Sequence, residues 1–180
     1  MKLTLLLFAA APLFAQSQEL ALSLGTLRGN SAPSLTSGLA LQANYAIRLA
    51  PHLHAAVNLL ANPQRRVAPA SPNIIRDVAS LYLTPELQCR WRFAYAYAGA
   101  GLAVYEHSTL TASGAPNPGP RTANTGTLTY GAGANVPITR RLALRAEARD
   151  NFSGPPVYNV PATKQHNVSL TAGFVLRWGH

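Results

Sequence analysis

At 180 residues the chain fits one domain, and its single cysteine, Cys89, excludes an intramolecular disulfide. Charged residues make up 12% of the chain, about half the usual share for a soluble domain, so little aqueous surface is expected. The net charge of +9 comes from scattered side chains with no Lys/Arg-rich run and no zinc-finger, helix-turn-helix or RNP pattern. That distribution argues against a nucleic-acid partner and for the anionic face of a membrane.

In chain order, Lys2, an apolar run over residues 3–11, and Leu13-Phe14-Ala15 before Gln16 read as a secretory signal peptide of residues 1–15. Residues 16–180 are left as a single domain. No apolar run approaches the roughly 18 residues of a transmembrane helix. Apolar residues alternate with polar ones instead, with the period of two that marks a strand.

The first strand is expected over residues 19–27, with Leu20, Leu22 and Leu24 on one face and Ala21, Ser23 and Gly25 on the other. A loop follows at 28–35. The second strand, 36–49, sets Leu39, Leu41, Ala43, Tyr45 and Ile47 against Gln42, Asn44 and Arg48. Residues 50–52 are a short turn into the third strand, 53–61, and 62–77 read as a long loop containing Pro63, Pro69 and Pro72. The fourth strand, 78–91, turns Leu81, Leu83, Leu87, Cys89 and Trp91 outward and Tyr82, Thr84, Glu86, Gln88 and Arg90 inward. Pro85 has no N–H for the ladder, so a bulge or a missing bond is expected there.

A tight turn leads to the fifth strand, 93–106, where alanines line one face and Tyr95, Tyr97, Gly99 and Gly101 the other. After a loop at 107–126 come the sixth strand, 127–136, a turn at 137–141, and the seventh strand, 142–151. The last places Arg145, Glu147 and Arg149 on its polar face. A loop over 152–165 precedes the closing strand. Its residues Val168, Leu170, Ala172, Phe174, Leu176 and Trp178 share one parity, broken only by Val175 on the other face. Over a dozen residues of alternation exceed the roughly 5–6 of an ordinary strand and suit the 9–11 of a tilted membrane strand.

Eight strands with connections that alternate long and short describe an all-β, up-and-down antiparallel transmembrane barrel. With an even strand number, both ends of the domain are expected on the short-turn, periplasmic side. Side chains fill so narrow a barrel. The inward charges Glu86, Arg90, Arg145, Glu147, Arg149 and Arg177 are expected to pair, with Glu86 and Glu147 each bridging to arginine, because unpaired charge is costly there. A structural plug is favoured over a gated ion path. Tyr45, Trp91, Phe93, Tyr130 and Trp178 are candidates for interfacial girdles.

The segment Thr171-Ala172-Gly173-Phe174-Val175-Leu176-Arg177-Trp178 resembles the C-terminal assembly signal of bacterial outer-membrane proteins, with Thr171, Gly173, Leu176 and Trp178 as its marker positions. The chain from about residue 18 onward resembles the OmpA-like outer-membrane β-barrel superfamily. The resemblance implies residence in a cell outer membrane and insertion by the outer-membrane assembly machinery. The expected role is structural or surface interaction, by a monomer without cofactor or metal. Partners are then outer-membrane lipid and lipopolysaccharide, the latter through the loop cations Arg65, Arg66, Arg76, Arg121 and Lys164.

Three alternatives stand beside that reading: a small-solute or ion pore, a lipid A-modifying barrel enzyme, and a soluble lipocalin-like barrel. PagL-like deacylases carry a His-x-Ser spacing, whereas this chain has Glu106-His107-Ser108. Adjacent residues of a regular strand project to opposite faces, which separates base from nucleophile. A lipocalin-like barrel requires the reverse assignment of faces, apolar inside and polar outside.

Overall fold

The computed structural model describes residues 17–30, 34–68, 72–154 and 165–179; the expected signal peptide lies outside them. Alternation of side chains produces eight long strands: β1 (Gln18–Asn30), β3 (Gly38–Ala50), β4 (Leu53–Ala68), β5 (Asp77–Trp91), β6 (Ala94–His107), β7 (Thr122–Pro137), β8 (Leu142–Ser153) and β9 (Gln165–Trp178). Each pairs antiparallel with the next. β1 also pairs with β9, from Gln18↔Trp178 to Asn30↔His166, so the sheet closes. A two-residue strand, β2 (Ser34–Leu35), sits on the upper end of β4.

The two faces differ as the alternation requires. Leu22, Leu24, Leu41, Val57, Leu83, Leu87, Leu102, Leu128, Leu170 and Phe174 stand exposed around the outside. Asn44, Asn58, Thr84, Gln88, Thr129 and Asn151 are buried inside. Water would charge about 1.5–3 kcal/mol for each such Leu-sized side chain left exposed, and soluble monomers rarely expose apolar patches beyond a few hundred Å². The outer wall therefore faces lipid. This overturns the lipocalin-like alternative, whose faces would be reversed.

The short turns lie at one end. Pro51-His52 joins β3 to β4, and Arg92-Phe93 joins β5 to β6. Arg92 has φ 51°, in the left-handed region that the primed types of two-residue hairpin turn use. At this end Tyr45 and Trp178 lie 6.4 Å apart between ring centroids. Both donate to the Oε1 of Gln18, at 2.8 Å and 3.0 Å, so their polar tips face the interface while their rings meet lipid. Trp91 and Phe93 are exposed at the same end. Tyr130 is placed differently: it donates to Asp150 at 2.7 Å on the outer face, beside His166.

At Pro85 the ladder to β6 lacks pairs for Thr84 and Pro85, yet Leu83↔Leu102 and Glu86↔Gly99 keep one register. The wall thus loses bonds there without a bulge.

Four strands run at least two residues further than the alternation indicates, β1 among them, reaching Asn30. β4 continues through residues 62–68, β7 begins at Thr122, and β8 reaches Ser153, all within stretches read as loop. The extension of β4 contains a bulge between Asn62 and Arg65. One extra residue there reverses which parity faces inward. Loops 72–76 and 108–121 then pack together over the outer end, bonded through Ile75↔Thr111, Arg76 N to Leu110 O at 3.3 Å and Ala112 N to Ile74 O at 2.9 Å. Beneath them Leu27, Leu35, Leu60, Val67, Ile75 and Val78 form a buried apolar cap on the lumen.

A closed transmembrane sheet resists detergent until heated. Extracted in cold detergent, the protein is expected to migrate in gels as a folded band that shifts only after boiling. Equal mobility before and after boiling would sink the closed-barrel reading.

Candidate functional site

The lumen is the site with built chemistry, and strand parity puts it together. Glu86, Gln88 and Arg90 descend β5, and Arg145, Glu147 and Arg149 climb β8 on the facing wall. Arg149, 1% exposed, is the central cation. Its Nη1 lies 2.8 Å from Glu86 Oε2 and its Nε 2.9 Å from Glu147 Oε1. Nη1 also donates to Thr129 at 3.0 Å. One guanidinium thereby serves two carboxylates from opposite walls.

Uncharged donors complete both acids. Glu147 accepts from Tyr95 at 2.5 Å, Tyr97 at 3.0 Å and Gln42 at 2.7 Å. Glu86 accepts from Asn44 at 2.9 Å and Gln88 at 2.7 Å. Gln42 also accepts from Thr171 at 2.8 Å and donates to Asn58 at 2.8 Å. These bonds link β1's neighbours on either side, β3 and β9, to the centre.

The tyrosines reach Glu147 because glycines stand opposite them. Tyr95 pairs with Gly133 and Tyr97 with Gly131 across β6 and β7. A Cβ at Gly133 would lie 2.5 Å from the Tyr95 ring, and one at Gly131 would lie 2.3 Å from the Tyr97 hydroxyl. Gly131 and Gly133 thus make room for the rings of the adjacent strand. The rings in turn carry cations, with Arg149 4.3 Å from the Tyr97 centroid and Arg145 4.9 Å from that of Tyr95.

A second cluster closes the short-turn end. Its acid is Glu19, which the sequence reading left out. Glu19 is salt-bridged to Arg90, lies 2.9 Å from Arg177, and lies 3.9 Å from Arg145. Arg90 and Arg177 therefore pair with Glu19 rather than with Glu86 or Glu147. Glu19 shares parity with Ala21 and Ser23, and that signal would have found it. Just above, Ala21, Ala143 and Val175 form a small apolar layer. Val175, the one break in the alternation of the last strand, packs there inside the barrel.

The loop cations fare differently from one another. Arg65 is a correction: it is buried at 1% exposure and lies in β4, not in an external loop. The bulge after Asn62 turns it into the lumen. Arg66 is exposed on the outer side of the same strand, with its backbone N–H donating to Thr36 at 3.1 Å. Arg76 is exposed and bonds to Asp77 at 2.7 Å. Arg121 is exposed and lies 3.7 Å from Glu106. Lys164 lies outside the described residues. Of the assembly-signal positions, Thr171 and Gly173 face the lumen while Leu176 and Trp178 face lipid.

Glu106-His107-Ser108 does not assemble a catalytic group. His107 turns into the barrel, its Nδ1 3.0 Å from Pro120 O. Ser108 Oγ is occupied as a clasp, accepting from the backbone of Arg76 at 3.0 Å and of Asp77 at 3.2 Å and donating to Leu110 O at 2.7 Å. Among the described residues no group of three His, Cys, Asp or Glu side chains is arranged for a metal.

Removing Arg149 strands two buried carboxylates. Arg149→Met is expected to cost about 3–5 kcal/mol of stability, read as a fall in the denaturant midpoint of the barrel in micelles. Adding Glu86→Gln and Glu147→Gln to that variant should recover most of the loss. A single variant as stable as the parent would refute the pairing.

No protein-family model and no curated protein matches the chain. Solved structures do. Neisserial surface protein A aligns with a TM-score of 0.56 at 15% identity, over 89% of this chain and 97% of that one. Ail, the attachment invasion locus protein of Yersinia pestis, gives 0.57 at 14% identity over 89% and 99%. The outer membrane protein OprG from Pseudomonas aeruginosa gives 0.55 at 12% identity over 92% and 97%. With its closed sheet, lipid-facing belt and polar lumen, the chain has the fold of the eight-stranded outer-membrane β-barrels.

Proposed function

We propose that the protein is a bacterial outer-membrane barrel that acts at the cell surface through its outer rim, with its lumen serving as a structural plug. The observation that carries this reading is the division of charge. Glu19, Glu86 and Glu147 in the lumen are all tied to arginine, while Arg66, Arg76 and Arg121 stand exposed at the long-loop end. Exposed guanidinium groups at that level suit the phosphates of lipopolysaccharide, which they can grip with two parallel hydrogen bonds. Lys164 belongs to the same proposal.

Insertion by the outer-membrane assembly machinery, through the pattern of Thr171, Gly173, Leu176 and Trp178, is part of this reading. So is a monomeric state, because a closed sheet offers no free edge for strand addition. Catalysis is not part of it, since Ser108 is committed to backbone.

The rim is tested with immobilised lipopolysaccharide. Replacing Arg66, Arg76 and Arg121 together by Ser is expected to weaken binding by the folded barrel and to flatten its salt dependence. Unchanged affinity and salt slope would defeat the rim assignment. The plug is tested in planar bilayers, where Glu147→Gln is expected to leave single-channel conductance at the parent value. A clear change in conductance would favour the pore.

A further inference from the structure

The lower and upper lumen are built on different electrostatic terms. Below, three acids, Glu19, Glu86 and Glu147, meet four arginines, Arg90, Arg145, Arg149 and Arg177. Above, Arg65 stands among neutral groups. It is 1% exposed and makes no ion pair among the described residues. Its Nη1 donates to Asn167 at 3.3 Å and its Nη2 to Ser80 at 3.4 Å, both long bonds, and its Nε has no partner.

A guanidinium buried without a counter-charge is strongly disfavoured, and Arg remains protonated at any physiological pH. Elsewhere in this lumen buried arginine is matched by acid, so the exception is specific to one chamber. The chamber also holds spare hydrogen-bonding capacity. Asn151, 0% exposed, has neither amide atom partnered. The Tyr82 hydroxyl lies 3.5 Å from that of Tyr105, at the outer limit of a hydrogen bond, whereas Tyr105 is already engaged with Ser153 Oγ at 2.6 Å. The apolar cap of Leu27, Leu35, Val67 and Ile75 shuts the chamber from above. Beside the cation the backbone leaves space for a methyl group: a Cβ at Gly29 would sit at ordinary contact distance, 3.4 Å from Asn167 Oδ1, 3.5 Å from Arg65 Nη1 and 3.7 Å from Leu35 Cβ.

We infer that this outer chamber binds one small monovalent inorganic anion of about chloride size, held by the Arg65 guanidinium with donors from Ser80, Tyr82 and Asn151. One uncompensated cation calls for one negative charge. The closed apolar cap favours a compact anion over a large hydrated one. The anion would supply for Arg65 what Glu86 and Glu147 supply for Arg149, and through Asn151 it would tie β4 to β8 as those acids tie β5 to β8.

The test uses the whole barrel refolded in micelles. Its thermal unfolding midpoint is compared in sodium chloride and in sodium gluconate at equal ionic strength. The midpoint is expected to rise with chloride concentration relative to gluconate, and Arg65→Met is expected to lose that rise. Equal midpoints in the two salts would overturn the proposal, as would an Arg65→Met protein that keeps the full chloride response. If Arg65→Met does not fold, parent crystals soaked in bromide decide. An anomalous peak within hydrogen-bond reach of Arg65 supports the site, and peaks only elsewhere overturn it.

Discussion

Hydrocarbon offers no hydrogen bonds to a backbone, so a sheet within it must have no edge. The pairing of β1 with β9 is the interaction on which everything else here depends. Thirteen cross-strand positions, Gln18↔Trp178 through Asn30↔His166, close the wall. Closure on eight strands leaves a bore that side chains fill. Once the bore is filled, its polar groups lose water, and each charge inside calls for a partner. The salt bridges of the lumen are thus a consequence of closure rather than a separate design.

That consequence explains why the network spans strands so widely. Arg149 on β8 holds Glu86 on β5 from the facing wall. Gln42 on β3 reaches Glu147 on β8 and is reached by Thr171 on β9. Such bonds act across the bore, where the backbone ladder provides nothing. The ladder fixes each strand against its two neighbours, and the lumen fixes opposite walls against each other. Buried ion pairs contribute little net stability compared with apolar packing of the same volume. Here an apolar core would face the same way as the lipid belt. A polar interior makes inside and outside unequal, and so favours one parity for every strand.

That inequality is also why so much was legible in the sequence. Within the membrane each residue faces either lipid or lumen, and the alternation of Leu22, Ser23 and Leu24 or of Leu87, Gln88 and Cys89 records the choice. Above the membrane the outer face meets water, and the record stops. Residues 62–68 and 122–126 are strand in the structure but read as loop, because polar side chains occupy both faces. Arg65 was misplaced for a second reason. A bulge at Pro63-Gln64 shifts the parity by one residue, and no side-chain pattern beyond it announces the shift. Glu19 was recoverable by parity alone, but at the first turn of a strand a charge is naturally read as the boundary of the wall.

The extended strands bear on how the rim works. Arg66 lies on paired β-structure, Arg66↔Asp77, rather than on a free loop, so little ordering entropy would be lost in the ligand contact proposed for it. The three described rim cations are not equivalent. Arg76 already bonds Asp77 and Arg121 lies near Glu106, so an incoming phosphate must displace or share a carboxylate at both. Arg66 makes no ion pair among the described residues. On the proposed rim reading, an anionic surface ligand would meet its least contested cation there, and the tightening of contacts would begin at β4. The same bulge that sends Arg65 inward leaves Arg66 facing out. One inserted residue therefore assigns two neighbouring arginines to opposite sides of the wall, one to the closed chamber and one to the cell surface.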